Sequence, residues 1–180
     1  MIVGNARDAE RILRYVKDKK KETDECVTRN FIGPVRRVKM PEGWELVGRG
    51  SFRIAYLSPD RVIYKVQHTY DYEYGQNNYG EFENIVCIFQ SRKTMPGVRF
   101  PKFTLYELSG QPVMAMEFVK GVFPETYICY DTCNCQRFSG KCNYETLTEI
   151  RETFDLFDLH DRNVMFVPEQ GEWVIIDVGA

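Results

Sequence analysis

The sequence lacks the marks of several broad protein classes. No apolar run approaches the ~20 residues that a membrane-spanning helix needs, so no span is expected. No hydrophobic stretch precedes a small-residue cleavage site near the N-terminus, so no secretory signal is expected. Charge of one sign is also missing: 24 Lys and Arg against 26 Asp and Glu leave a net charge of −2. Without a basic field, binding to DNA is not expected. Histidine is nearly absent, with only His68 and His160. His68 reads as a surface loop residue and His160 as a residue that shapes its own loop; neither reads as a metal ligand. There are no internal repeats and no low-complexity tract.

What is present describes a folded domain. Of 180 residues, 43% are apolar, 28% charged and 14% aromatic. That composition suits one domain, or one domain built from two small lobes. The six cysteines, met without a secretory signal, suggest thiols in a reducing compartment.

Asn5 to about Lys20 reads as an amphipathic helix. Ala9, Ile12, Leu13 and Val16 form one apolar stripe, and Asn5 caps it with Asp8 three residues on. The charged run from Lys17 to Glu25 should end it in a solvated turn. Residues 44–67 alternate as strands around a Ser58–Arg61 turn. Residues 68–80 read as a loop. Residues 81–90 read as a short buried helix, with Phe82, Ile85, Ile88 and Phe89 inward. Strands follow at 103–108 and 113–119, joined at Gly110-Gln111-Pro112. Residues 121–140 are irregular and Cys-rich, and 143–157 is helical with Asn143 as the cap. A last hairpin joins 163–167 to 172–178. A strand-rich first half and a helical second half imply a two-layered α+β arrangement with a cleft between lobes.

Three places carry chemistry. Gly48 and Gly50, with Ser51 and Phe52, can let backbone approach an anion, although Gly-x-Gly also occurs in ordinary tight turns. Lys65 interrupts the apolar strand Val62–Val66, and a buried lysine requires a partner or a ligand. The alternative is an edge lysine facing water. Glu81 lies on the apolar stripe of the next helix and can hold Lys65; Glu83, about 200° around that helix, is the competing candidate. Finally, Asp158 precedes Asn163 by five residues, and a hairpin then delivers Asp177. An Asp and an Asn at the mouth of one hairpin form a hard-oxygen pair suited to Mg²⁺, leaving Asp158 to orient or deprotonate a hydroxyl. The bland reading of the same residues is turn chemistry.

In this order the segments resemble the protein-kinase-like superfamily. Residues 48–56 (GRGSFRIAY) resemble its glycine-rich loop, and VIYK, ending at Lys65, its phosphate-anchoring strand. VMAMEFVKG (113–121) resembles the hinge, DLHDRN (158–163) the catalytic loop and DVG (177–179) the metal site. The resemblance covers residues 44–179. It implies an α+β kinase-like fold: a small antiparallel-sheet N-lobe with one helix, and a much-reduced C-lobe. It divides the chain into a helix and connector (1–43), an ATP-binding lobe with hinge (44–120) and a minimal catalytic lobe (121–180). It implies ATP and Mg²⁺ as cofactors. Gly48, Gly50 and Ser51 would cover the phosphates, and Lys65 would bind the α- and β-phosphates and pair with Glu81. Met116 would back the adenine, while Glu117 and Val119 would offer it backbone hydrogen bonds. Asp158 would be the catalytic carboxylate, and Asn163 and Asp177 would hold Mg²⁺.

The departures refine this expectation. Arg53 replaces the third loop glycine. Leu156-Phe157 stands where many protein kinases carry His-Arg, so control through a phosphorylated activation loop is not expected. The chain stops three residues after Asp177, so the activation segment and substrate platform are expected to be absent. Cys129, Cys133, Cys135 and Cys142 could hold Zn²⁺, but their spacing is not the paired C-x2-C form and favours unliganded thiols. The leading expectation is a phosphotransferase acting on protein hydroxyls, in trans or on itself. The alternatives are a nucleotide-binding module that inhibits a protein target, and transfer to a small molecule or of a nucleotidyl group. By association with similar small kinases, the protein is placed in a bacterial or host-cell cytoplasm, and a homodimer is expected to cover exposed apolar surface.

Overall fold

The computed structural model describes residues 2–28, 37–50, 52–68, 78–124 and 137–178. The chain is α+β and divides into two compact units, Met1–Asn78 with Lys102–Phe118, and Tyr79–Pro101 with Val119–Ala180.

The first unit begins with helix α1 (Ala6–Thr28). Its start follows from Asn5, whose Oδ1 accepts the Asp8 amide at 2.9 Å while its Nδ2 donates to the Asp8 carboxylate at 2.8 Å. The helix runs on through the charged segment expected to end it. There Glu22 accepts from Lys19 at 2.8 Å and from the Val38 amide at 2.9 Å, which lowers its pKa. Local ion pairing thus carries a polar segment as helix.

The unit's five-stranded sheet is antiparallel throughout, in the order β1 (Glu45–Arg49), β2 (Arg53–Leu57), β3 (Val62–Gln67), β6 (Gln111–Glu117), β5 (Phe103–Leu108). The β2–β3 turn holds because Ser58 accepts the Arg61 amide at 2.9 Å and Arg61 takes a left-handed backbone. The β5–β6 turn is Ser109-Gly110, both at positive φ, rather than the expected Gly110–Pro112; Gln111 and Pro112 already belong to β6. One face of the sheet packs on α1. There Ala9, Ile12, Leu13 and Val16 meet Trp44, Ile54, Tyr56, Tyr64, Val66, Val113 and Ala115. The segment before α1 is tied to the same sheet. Val3 donates to Thr104 Oγ1 at 2.8 Å, Tyr106 Oη donates to Val3 O at 3.0 Å, and Tyr64 Oη accepts the Asn5 amide at 3.1 Å.

The second unit holds most of helix α2 (Asn78–Gln90). The helix starts inside the stretch read as loop, and Phe89, expected inward, is exposed beside Phe100. A three-stranded sheet follows in the order β4–β8–β7, made of β4 (Val98–Arg99), β8 (Glu172–Ile175) and β7 (Val164–Val167). Strands β7 and β8 form the expected last hairpin, and β4 is the strand that was not expected. Two-residue β4 pairs parallel to β8 and is too short to show alternation in sequence. Helix α3 (Asn143–Phe154) is capped by Cys142, not Asn143. Asn143 is buried instead, its Oδ1 accepting the Phe138 amide at 2.8 Å. The helix ends three residues short of Phe157 because Asp155 turns left-handed (φ 55°), a cap held by an ion pair with Lys93. Phe138, Phe166 and Trp173 stack into an aromatic core. Among the described residues, no helix is long and apolar enough to cross a membrane.

Gly4 sits at φ +69°, and a Cβ there would lie 2.5 Å from Tyr64 Oη and 3.1 Å from Ala115 Cβ. Gly110, at φ +71°, has nothing within 4 Å. Gly110→Ala should therefore cost only the left-handed backbone, about 1–2 kcal/mol. Gly4→Ala adds overpacking and should cost about 2–5 kcal/mol. Denaturant unfolding of the two variants checks the difference.

Burial pushes the Tyr56 and Tyr64 phenols up from 10.0 to about 12. The folded state thus favours the neutral phenols. Their contribution is complete below the unfolded value near 10 and is lost as pH rises toward 12. Unfolding free energy should fall across that window, with two tyrosines ionising late in an ultraviolet titration.

Candidate active site

The residues singled out in the sequence fall into two groups, one in each unit. In the first unit the group is organised by strand register. Gly48 pairs with Ala55, Ala55 with Lys65, and Lys65 with Met114. Directly opposed side chains share a face, so these four form one row across the sheet. The row lies on the face away from α1, since the intervening residues Tyr64, Val66, Val113 and Ala115 pack on the helix. Lys65 is 6% exposed in the third of five strands, which excludes the edge-lysine reading. Met116 lies next in the same face, opposite Ile63, and is buried.

Neither Gly48 nor Gly50 has a left-handed backbone. A Cβ at Gly48 would meet only Ala55 Cβ at 3.6 Å, and one at Gly50 only Arg53 O at 3.6 Å. The protein's own packing thus demands glycine at neither position. What glycine adds is bare backbone, with no side chain to hinder an anion that lies close to it. Gly50 is not itself an anion donor, because its amide closes the hairpin onto Arg53 O at 2.9 Å. His68, read as a plain surface residue, is half-buried and engaged: its amide donates to Phe52 O at 3.0 Å and its Nε2 meets Gly50 O at 3.2 Å. Ser51 lies outside the described residues.

At the hinge segment, the Glu117 amide donates to Lys102 O at 2.8 Å, and its carboxylate accepts the Lys102 amide at 3.1 Å. Val119 is buried, and its amide donates to no group among the described residues. Of the two glutamates on α2, Glu81 is 1% exposed and Glu83 faces solvent.

In the second unit, Asn163 brings the other group together. Its Nδ2 donates to the Asp158 carbonyl at 2.7 Å. Its own carbonyl accepts the Ile176 amide at 2.8 Å and the Asp177 amide at 3.3 Å. One buried carboxamide residue, 9% exposed, thus ties the Asp158 loop to the chain leaving β8. Because Nδ2 is committed to Asp158, Oδ1 is the atom left to ligate. Strand β8 ends at Ile175, two residues earlier than Asp177 requires to lie in the sheet, so Asp177 is half-buried rather than enclosed. Asp158 is exposed, and its carboxylate accepts no hydrogen bond among the described residues. His160 shapes the loop as expected: its carbonyl accepts the Asn163 amide at 3.0 Å, and Nδ1 accepts the Arg162 amide at 3.1 Å. Phe157, beside Asp158, is 99% exposed.

Among the described residues no three His, Cys, Asp or Glu side chains converge as a metal group. Cys142 is buried at the α3 cap, while Cys129, Cys133 and Cys135 lie outside the described residues. Ala55 and Met114, the flanking members of the Lys65 row, were not singled out in the sequence, although period-2 alternation places them there once register is known. No protein-family model matches the chain, and no curated protein matches it significantly.

The Asn163 bond makes a sharp contrast. Asn163→Ala and Asn163→Asp both remove the donor to Asp158 O and should lower unfolding free energy by about 1–3 kcal/mol. Asp158→Ala keeps that carbonyl and should change it by less than about 0.5 kcal/mol. Chemical denaturation of the three variants checks this.

Proposed function

We propose that the protein is a kinase-like phosphotransferase that uses ATP and Mg²⁺ to phosphorylate protein hydroxyl groups, in trans or on itself. The observation that carries this reading is the double use of Asn163: its side chain holds Asp158 while its backbone holds Asp177. Three hard-oxygen side chains are thereby anchored to one hairpin.

The residues suit these cofactors. Mg²⁺ is commonly bound through one or two protein oxygens together with substrate phosphates, so a three-residue protein cage is not required. Asn163 Oδ1 and the Asp177 carboxylate would hold it. Bound Mg²⁺ would offset charge on the transferred phosphoryl group. The Lys65 row supports the nucleotide half of the reading: a buried cation in register with the bare backbone of Gly48. Lys65 would bind the α- and β-phosphates. The Val119 amide is the hinge donor to adenine. Asp158, exposed and with no competing hydrogen bond among the described residues, would accept the proton of the attacking hydroxyl. The kinase-like fold is part of the same proposal. An exposed, unbridged Cys87 suits the reducing cytoplasm.

Purified protein with Mg-ATP should transfer labelled γ-phosphate to itself or to protein acceptors in a lysate. Asp158→Ala should reduce transfer at least ~100-fold while the fold persists. No transfer by the wild type, with saturable Mg-ATP binding, would assign a nucleotide-binding module instead. Neither transfer nor binding would sink the proposal.

A further inference from the structure

We infer that His68 is a positioning residue that clamps the glycine hairpin and so sets the affinity for nucleotide; this rests on the phosphotransferase reading above. The last β1–β2 pair is Arg49 with Ile54, and beyond it Gly50 N donates to Arg53 O at 2.9 Å. His68 adds a third strand to this tip. Its amide extends the β2–β3 ladder to Phe52 O at 3.0 Å, and its ring Nε2 meets Gly50 O at 3.2 Å. Only a donor can satisfy a carbonyl, so Nε2 carries a proton in this contact.

Two consequences follow for an anion site. First, Gly50 has both backbone groups satisfied, its amide by Arg53 and its carbonyl by His68. That carbonyl oxygen is held by the ring rather than left to oppose phosphate oxygens. Second, His68 lies three residues after Lys65 on one extended strand, about 10 Å along it. The glycine tip and the phosphate-binding lysine are thereby referenced to the same strand. Losing the clamp frees the tip without moving Lys65. Such a change weakens binding of ground state and transition state alike, so it raises Kd and KM for ATP and leaves kcat nearly unchanged.

The test compares wild type with His68→Ala, His68→Phe and His68→Gln. The phenylalanine keeps a ring without a donor, and the glutamine keeps a donor without the ring. Two measurements are made: Mg-ATP binding at equilibrium, and hydrogen exchange of the Gly50 amide without nucleotide. Loss of one hydrogen bond should raise Kd about three- to tenfold in the alanine and phenylalanine variants, with faster exchange. The glutamine variant should stay within about twofold of wild type. A merely structural role would lower thermal stability while leaving Kd alone. Wild-type Kd in the alanine and phenylalanine variants, or a glutamine variant as weak as alanine, overturns the clamp. Absence of Mg-ATP binding by the wild type overturns the phosphotransferase reading itself and the affinity role with it. Unchanged exchange alongside intact wild-type binding overturns the clamp alone.

Discussion

A cation held in the middle strand of a five-stranded sheet constrains the whole first unit. Lys65 has strands on both sides, so its charge cannot escape to an edge. Its neighbours in register must leave room for a long side chain, and they do: Ala55 is small and Met114 is unbranched and adaptable. The bulky ring-bearing residues Trp44, Tyr56 and Tyr64 are placed on the other face, where α1 covers them. The two faces therefore divide the labour. One is covered by α1 and holds an apolar core. The other carries the buried cation, in register with Gly48.

The second unit solves a different problem, which is to hold a loop in place without enclosing it. Asp158 is exposed, yet its carbonyl is fixed by a buried carboxamide. The loop is held through its backbone, by the side chains of Asn163 and His160, while the Asp158 carboxylate accepts no hydrogen bond among the described residues. The same economy appears at the end of α3. A left-handed Asp155, paired with Lys93, turns the chain so that Leu156 is buried and Phe157 stands in water.

Much of this was legible in the sequence where periodicity was strong. The α1 stripe, the Asn5 cap and strands β1, β2, β3, β5 and β6 follow directly from apolar spacing and turn residues. Boundaries set by ion pairs or caps were not legible. The charged run after Val16 reads as a helix end, and only the Lys19–Glu22–Val38 linkage, which depends on a residue far along the chain, explains its helicity. Asn143 looks like a cap by type, but burial gives its carboxamide to Phe138. Strand β4 exists because β8 is beside it, not because two residues favour extension. In the candidate site, the identities of Lys65, Asp158, Asn163 and Asp177 could be read from spacing. The contribution of His68 could not, because it depends on how the β1–β2 hairpin lies against β3.

The short segment before α1 has a consequence for how the protein forms. Val3 meets Thr104 and Tyr106, contacts spanning about a hundred residues of chain. Between them in sequence lies Tyr79–Pro101, which belongs to the other unit. The first unit cannot close until that foreign stretch has been synthesised and strands β5 and β6 have followed it. At ~5–20 residues per second, α1 and the β1–β3 meander wait several seconds on the ribosome with their apolar faces unfinished. Ordering so distant a pairing is also entropically slow, so the protein's exposure to misassembly is concentrated in that interval rather than in the finished fold.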